Sequence, residues 1–152
     1  KITFANIQSS QLIIIRTPTI YGPNEKIRAH TPSGFLDTYM DGEEVTLWGN
    51  GSELREFIYV EDIVKIVNLL VSSDFSGVIN IGTGIGYTYK EALKIISKKL
   101  NKKITIHTKK RTKEKVDKLV DPTLLNRLFP GITFTSLEEG VEKIINSVND
   151  RF

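Results

Sequence analysis

The chain has 152 residues, 39% hydrophobic and 26% charged, the balance of a globular domain rather than of a disordered segment. It contains no Cys, which excludes disulfides and thiolate metal sites, and no apolar run approaches the roughly 20 residues that span a bilayer. The net charge of +3 is concentrated between Lys98 and Lys118, a stretch that can draw in a phosphate or nucleic acid, or simply form a solvated helix face and loop.

In chain order, residues 3–10 read as the tail of a helix. Gln11 to Arg16 follow with the continuous apolar run Leu12-Ile13-Ile14-Ile15, which suits a strand buried on both faces of a parallel sheet. Such a strand needs neighbours, so the sequence is expected to continue a larger chain at its beginning. Thr17 to Asn24, punctuated by Pro18, Gly22 and Pro23, reads as a loop, and Gly34 to Met40 as a short helix. Val45 to Trp48 and Glu56 to Val60 read as strands joined through Asn50-Gly51, a dipeptide that favours a type I′ hairpin turn.

Ile63, Val64, Ile66, Val67, Leu70 and Val71 recur at helical spacing, which predicts an amphipathic helix over 61–72. Glu61 and Asp62 lie in its first turn, where the helix dipole favours them. Gly77 to Ile81 is a short strand, and Thr88 with Glu91 forms a capping box that opens a helix to Leu100. Ile104 to Ile106 gives another strand. Asp121-Pro122 starts a helix of one or two turns, and Ser136 caps a last helix with Val141, Ile144, Ile145 and Val148 on one face. Strands alternating with helices make the class α/β.

The turn Gly82-Thr83-Gly84-Ile85-Gly86 lies between a strand and a helix, as a dinucleotide-binding turn would. Its spacing is G-x-G-x-G rather than G-x-G-x-x-G, and Lys102-Lys103-Ile104 stands where an acidic ribose ligand belongs. It is read as a structural turn that lets the strand pack close to the helix. His30 and His107 stand far apart with no carboxylates at ligand spacing, so no metal site is expected.

The segment Trp48-Gly49-Asn50-Gly51-Ser52-Glu53-Leu54-Arg55-Glu56-Phe57-Ile58-Tyr59-Val60-Glu61-Asp62 is more specific. Together with Leu12 to Pro23, Asn80-Ile81-Gly82-Thr83-Gly84, Asp121-Pro122 and Thr135-Ser136-Leu137-Glu138-Glu139-Gly140, it resembles the NAD-dependent epimerase/dehydratase family in order and spacing. That family consists of extended short-chain dehydrogenases acting on nucleotide sugars. The resemblance implies the C-terminal part of a Rossmann-like fold with its small substrate-binding subdomain. Residues 1–24 would supply a helix tail, the last of the Rossmann-like sheet and an active-site loop. Residues 25–152 would be mostly the subdomain, with 56–82 packing back on the Rossmann-like part.

By the same resemblance, Arg55 and Arg111 bind the diphosphate of a nucleotide sugar, which suits two guanidinium groups that stay charged and can bind phosphate bidentately. An ion pair of Arg55 with Glu53 or Glu56 is the alternative reading of that arginine. Trp48 would lie beside the base, or else be a core aromatic. Pro18 and Thr19 would pass near the nicotinamide of NAD or NADP, with Thr19 also near the sugar. UDP-galactose 4-epimerases carry Asn where this chain has Thr19 and another near Ala29, and Lys113 and Glu114 depart from the family's R-x-G-D motif after Arg111. The departures leave room for a nucleotide or a sugar other than that of UDP-galactose.

The family's cofactor loop and Tyr-x-x-x-Lys pair belong before Leu12, and no Tyr here has a Lys four residues later. No catalytic residue is assigned, and the chain is expected to bind a nucleotide sugar without turning it over. The whole protein is expected to be a cytoplasmic NAD(P)-dependent epimerase or dehydratase, without nucleic-acid or membrane partners and able to form a homodimer. An NADP-dependent reductase of the same superfamily and a non-enzymatic anion- or nucleic-acid-binding module are the alternatives.

Overall fold

A computed structural model of the chain describes residues 12–25 and 31–149; the helix tail expected over 3–10, with Gln11, Ala29 and His30, lies outside them. The elements are β1 (Ile13–Arg16), β2 (Thr19–Tyr21), α1 (Pro32–Met40), β3 (Val45–Trp48), β4 (Leu54–Tyr59), α2 (Val60–Val71), β5 (Gly77–Asn80), β6 (Gly86–Thr88), α3 (Tyr89–Leu100), β7 (Ile106–Lys109), α4 (Thr123–Leu128) and α5 (Leu137–Asn149). The described strands form three small sheets, ordered β1-β5, β2-β4-β6 and β3-β7. All pairs are parallel except β4 with β6.

β4 organises the molecule. Its alternating side chains enter two cores: Phe57 and Tyr59 join Tyr21, Phe35, Leu93, Ile96 and Val141, while Ile58 joins Ile66, Leu70, Ile79 and Leu125. Tyr21 meets Phe57 and Tyr59 edge-on, with ring centroids 6.4 and 5.5 Å away. Helix α5 crosses this aromatic group at Gly140, where even a Cβ would collide with the Tyr21 ring and hydroxyl. In the second core Ile13 and Ile15 of β1 pack on the same cluster.

Three expectations change. The Asn50-Gly51 hairpin does not form, because β3 pairs with β7 while β4 pairs with β2 and β6. Gly49 and Gly51 take φ of 69° and 68°, with Asn50 between them accepting a hydrogen bond from Ser52 N at 3.2 Å. The glycines thus flank the turn residue, and the loop carries the chain from one sheet to another. The Thr17–Asn24 loop contains a strand, β2, since Thr19-Ile20-Tyr21 suits a pleated surface despite Pro18 and Gly22 on either side. Gly86 to Thr88 likewise becomes β6.

One strand shifts, and one buried face is smaller than expected. The strand expected at 104–106 is found at Ile106–Lys109, with Ile104 buried just before it. β1 exposes Ile14, and β5 exposes Val78, on one face. The apolar run of β1 is therefore covered on one side in this chain, not on both.

The caps of α3 and α5 follow the sequence, while α4 starts one residue later than expected, with Pro122 at the cap position and Asp121 before it. Thr88 and Glu91 close a capping box on α3, and Ser136 with Glu139 repeats it on α5. Asp121 accepts from the backbone N of Thr123, the first residue of α4, at 2.9 Å. Hydrogen bonds from Thr88 N and its hydroxyl hold the Glu91 carboxyl below its ordinary value of 4.5. Because the folded value is the lower one, this stabilisation is present above pH 4.5 and is lost as pH falls through the depressed value. Thr88→Ala is expected to cost about 1 kcal/mol and to return the Glu91 titration, followed by NMR, toward that of an unfolded chain. An unchanged titration would show that the Thr88 backbone N–H, which alanine keeps, holds Glu91 without the hydroxyl.

Candidate functional site

The lysines of the basic stretch are exposed, as on a solvated helix face and loop, but its backbone is tied down. After β7 it turns back and runs alongside β4, so that Lys118 N donates to Leu54 O at 3.0 Å and Glu56 N donates to Lys118 O at 3.2 Å. Asp117 accepts from Leu54 N at 2.8 Å. Its carboxyl is held below the usual range first by the Lys115 ammonium and then by that backbone N–H. The loop that holds Arg111 and the strand that holds Arg55 are thereby fastened together.

Arg111 pairs with Glu53, and its Nη2 also donates to Trp48 O at 3.3 Å. Gly49 makes room for it, since a Cβ there would stand 2.8 Å from Nε and 2.9 Å from Nη2. Trp48 is 45% exposed, so it is not a core aromatic. The Lys109 ammonium lies 6.0 Å from its ring centroid, within cation–π range. Trp48, Arg111, Thr112, Lys113 and Glu114 line one cavity of ≈ 340 Å³.

Arg55 is held elsewhere on the same loop. Its Nη1 donates to Leu54 O at 2.9 Å and to Val116 O, and its guanidinium lies 5.5 Å from the Tyr89 ring centroid. It pairs with neither glutamate of its own segment. Glu53 is taken by Arg111, and Glu56 is buried as an acceptor for four donors. Those donors are Thr83 N and Thr83 Oγ1, Gly84 N at 2.9 Å and Val120 N at 2.8 Å.

Thus the structure brings Trp48 and Arg111 together in one cavity and leaves Arg55 outside its lining. Thr19 pairs with Phe57 in the β2–β4 ladder, and Pro18, half-buried, precedes it.

The glycine-rich turn after β5 is wrapped around the Glu56 carboxylate. The amide N–H groups of Thr83 and Gly84, which a dinucleotide-binding turn would aim at phosphate, donate to this side chain instead. The close approach that its glycine allows is to Glu56 and Val120, where a Cβ on Gly82 would stand 2.6 and 3.0 Å from side-chain atoms. Burial raises the phenol pKa of Tyr21, Tyr59 and Tyr87, so all three stay protonated at neutral pH. Among the described residues no group of three or more His, Asp or Glu gathers to hold a metal, and no helix is long and apolar enough to cross a membrane.

Sequence reasoning missed the partner of Arg111. Glu53 carries no signal that distinguishes it from Glu56, and the two are separated in role only by where the 110–120 loop folds. It also missed the four-donor acceptor at Glu56.

Comparison with known proteins adds a second line. The NAD dependent epimerase/dehydratase family matches residues 3–82. GDP-L-colitose synthase of Yersinia pseudotuberculosis is 36% identical over 104 residues, which cover 66% of this chain and 33% of that protein. A putative UDP-glucose 4-epimerase of Methanocaldococcus jannaschii is 28% identical over 138 residues, 88% of this chain and 44% of that one. Among solved structures, the UDP-glucose 4-epimerase of Thermotoga maritima with UDP-glucose superposes with a TM-score of 0.80 at 27% identity, covering 91% of this chain and 46% of that one. The chain therefore spans less than half the length of these relatives.

Proposed function

Since the chain belongs to the NAD dependent epimerase/dehydratase family, we propose that it holds the nucleoside diphosphate end of a nucleotide sugar for a larger NAD(P)-dependent enzyme. The observation that carries this reading is the cavity in which an exposed aromatic ring and a tethered guanidinium stand together, lined by Trp48 and Arg111. A flat aromatic face suits a base, and a guanidinium suits a phosphate. Arg55, which lies outside the lining of that cavity but is bonded to the same loop through Val116 O, is assigned as a second cation for the diphosphate. Binding energy gathered there, remote from the reacting carbon, is what a sugar-nucleotide enzyme can apply to orienting the sugar.

The described residues do not fit the pyrophosphate of a dinucleotide, because the one glycine-rich turn at a strand end is filled by Glu56. NAD or NADP, which exchanges hydride with the sugar in such enzymes, is therefore assigned to the rest of the enzyme, with Pro18 and Thr19 at its nicotinamide edge. The open face of β1 and β5 at Ile14 and Val78 is where that remaining part would pack.

Epimerisation, dehydration and reduction all begin from this binding mode, and relatives named for GDP- and UDP-sugars both occur. Calorimetric titration with UDP-glucose and a GDP-sugar should give saturable binding by one of them, weak binding of the free sugar, and no turnover by the 152-residue chain alone. Failure of every sugar nucleotide to bind would overturn the proposal.

A further inference from the structure

Two buried glutamates stand three residues apart and are used differently. Glu56 gathers four donors from two distant segments, so its burial is accounted for by the fold it fastens. Glu53 is 5% exposed, and among the described residues its one ion-pair partner is Arg111 and its Oε2 has no hydrogen-bond partner. A carboxylate left half-satisfied away from water is costly to the fold, and a fold with nothing to gain from Arg111 would not retain it.

Arg111 is correspondingly confined. Its Nη2 is held between Glu53 and Trp48 O, and the guanidinium occupies the space that a Cβ on Gly49 would need. Arg111 lines the cavity together with Trp48.

We infer that Glu53 is a positioning residue for Arg111: its Oε1 fixes the guanidinium so that its remaining N–H donors face the phosphate of the bound nucleotide. This rests on the nucleotide-binding reading above. The role belongs to the geometry of one hydrogen bond, not to the negative charge, which opposes phosphate. Glu53→Gln keeps an acceptor at the Oε1 position and puts its amide N–H₂ at the Oε2 position, where no bond is lost. Glu53→Asp keeps the charge and is one methylene too short to reach Nη2.

The test measures binding of UDP and GDP, with uridine and guanosine as phosphate-free controls, to the unaltered chain, E53Q, E53D and R111A. For whichever nucleotide binds, E53Q is expected to bind the diphosphate at least as tightly as the unaltered chain. E53D should weaken it about tenfold, as R111A does, with nucleoside affinity unchanged in all. Circular dichroism verifies that each variant is folded; if E53D is not, E53Q still decides, since weakened diphosphate binding by folded E53Q overturns the geometric role. Retained diphosphate binding by E53D beside its loss in R111A overturns the Glu53 assignment alone. A parallel loss of nucleoside and diphosphate affinity in E53D marks a merely structural role and overturns it too. No loss in R111A, or no binding by the unaltered chain, overturns the nucleotide reading itself.

Discussion

Alanine at Glu56 is expected to destabilise the chain by about 3–5 kcal/mol, the range for removing the charged side of a buried hydrogen-bond cluster. The carboxylate is 1% exposed and answers donors from the Gly82–Gly84 turn and from Val120 at once. Its loss leaves those backbone N–H groups facing the cavity that the side chain vacates. Glutamine should not rescue it. Its oxygen can serve Thr83 and Gly84, which share Oε1, but its amide then points a donor at the Val120 N–H that Oε2 now accepts. Urea unfolding measures both variants, and amide exchange at Thr83, Gly84 and Val120 localises the damage. A cost below about 1 kcal/mol for alanine would mean that water replaces the carboxylate without penalty, and that the turn is not held by it.

Arg55→Ala should lower affinity for a nucleoside diphosphate by about 10- to 100-fold, the loss of one or two charge-assisted hydrogen bonds. Only Nη1 of this arginine is spent on the protein, on Leu54 O and Val116 O. The other donors make no hydrogen bond among the described residues and remain for a ligand. Stability should fall by only about 1 kcal/mol, because those two carbonyls are within reach of water and the Tyr89 contact is a modest cation–π interaction. Lysine should restore part of the stability and little of the binding, since it cannot present a planar pair of donors. Affinities for UDP and uridine, or GDP and guanosine, separate the phosphate contribution. An alanine variant that binds the diphosphate as tightly as the unaltered chain would remove Arg55 from the site.

Helices α2, α3 and α5 were legible in the sequence because each carries its own signal. Ile63, Ile66 and Leu70 mark a face of α2, and Thr88 with Glu91 and Ser136 with Glu139 write the two N-terminal caps. Strand pairing was less legible. Asn50-Gly51 reads as a hairpin by local rules, yet the partner of β3 is β7, which begins at Ile106, and no short window of sequence contains that fact. The same distance separates Arg111 from Glu53. Trp48 and Arg111 could be singled out from motif spacing, whereas the cavity they share depends on a β3–β7 ladder invisible to it. Glu56 entered the sequence reading only as an alternative ion-pair partner for Arg55, because a buried carboxylate held by backbone donors is recognisable only once those donors are in place.

Glu56 and Asp62 share a further property of timing. Both lie in the continuous β4–α2 stretch, but Val120 N follows Glu56 by 64 residues, and Thr135 N, which donates to Asp62 at 2.8 Å, follows it by 73. On a ribosome adding about 5–20 residues per second, those two donors emerge on the order of several seconds after the acids they serve. Glu56 can meet Thr83 and Gly84, and Asp62 can meet Lys65, well before then. Full satisfaction of both carboxylates therefore waits on the last third of the chain.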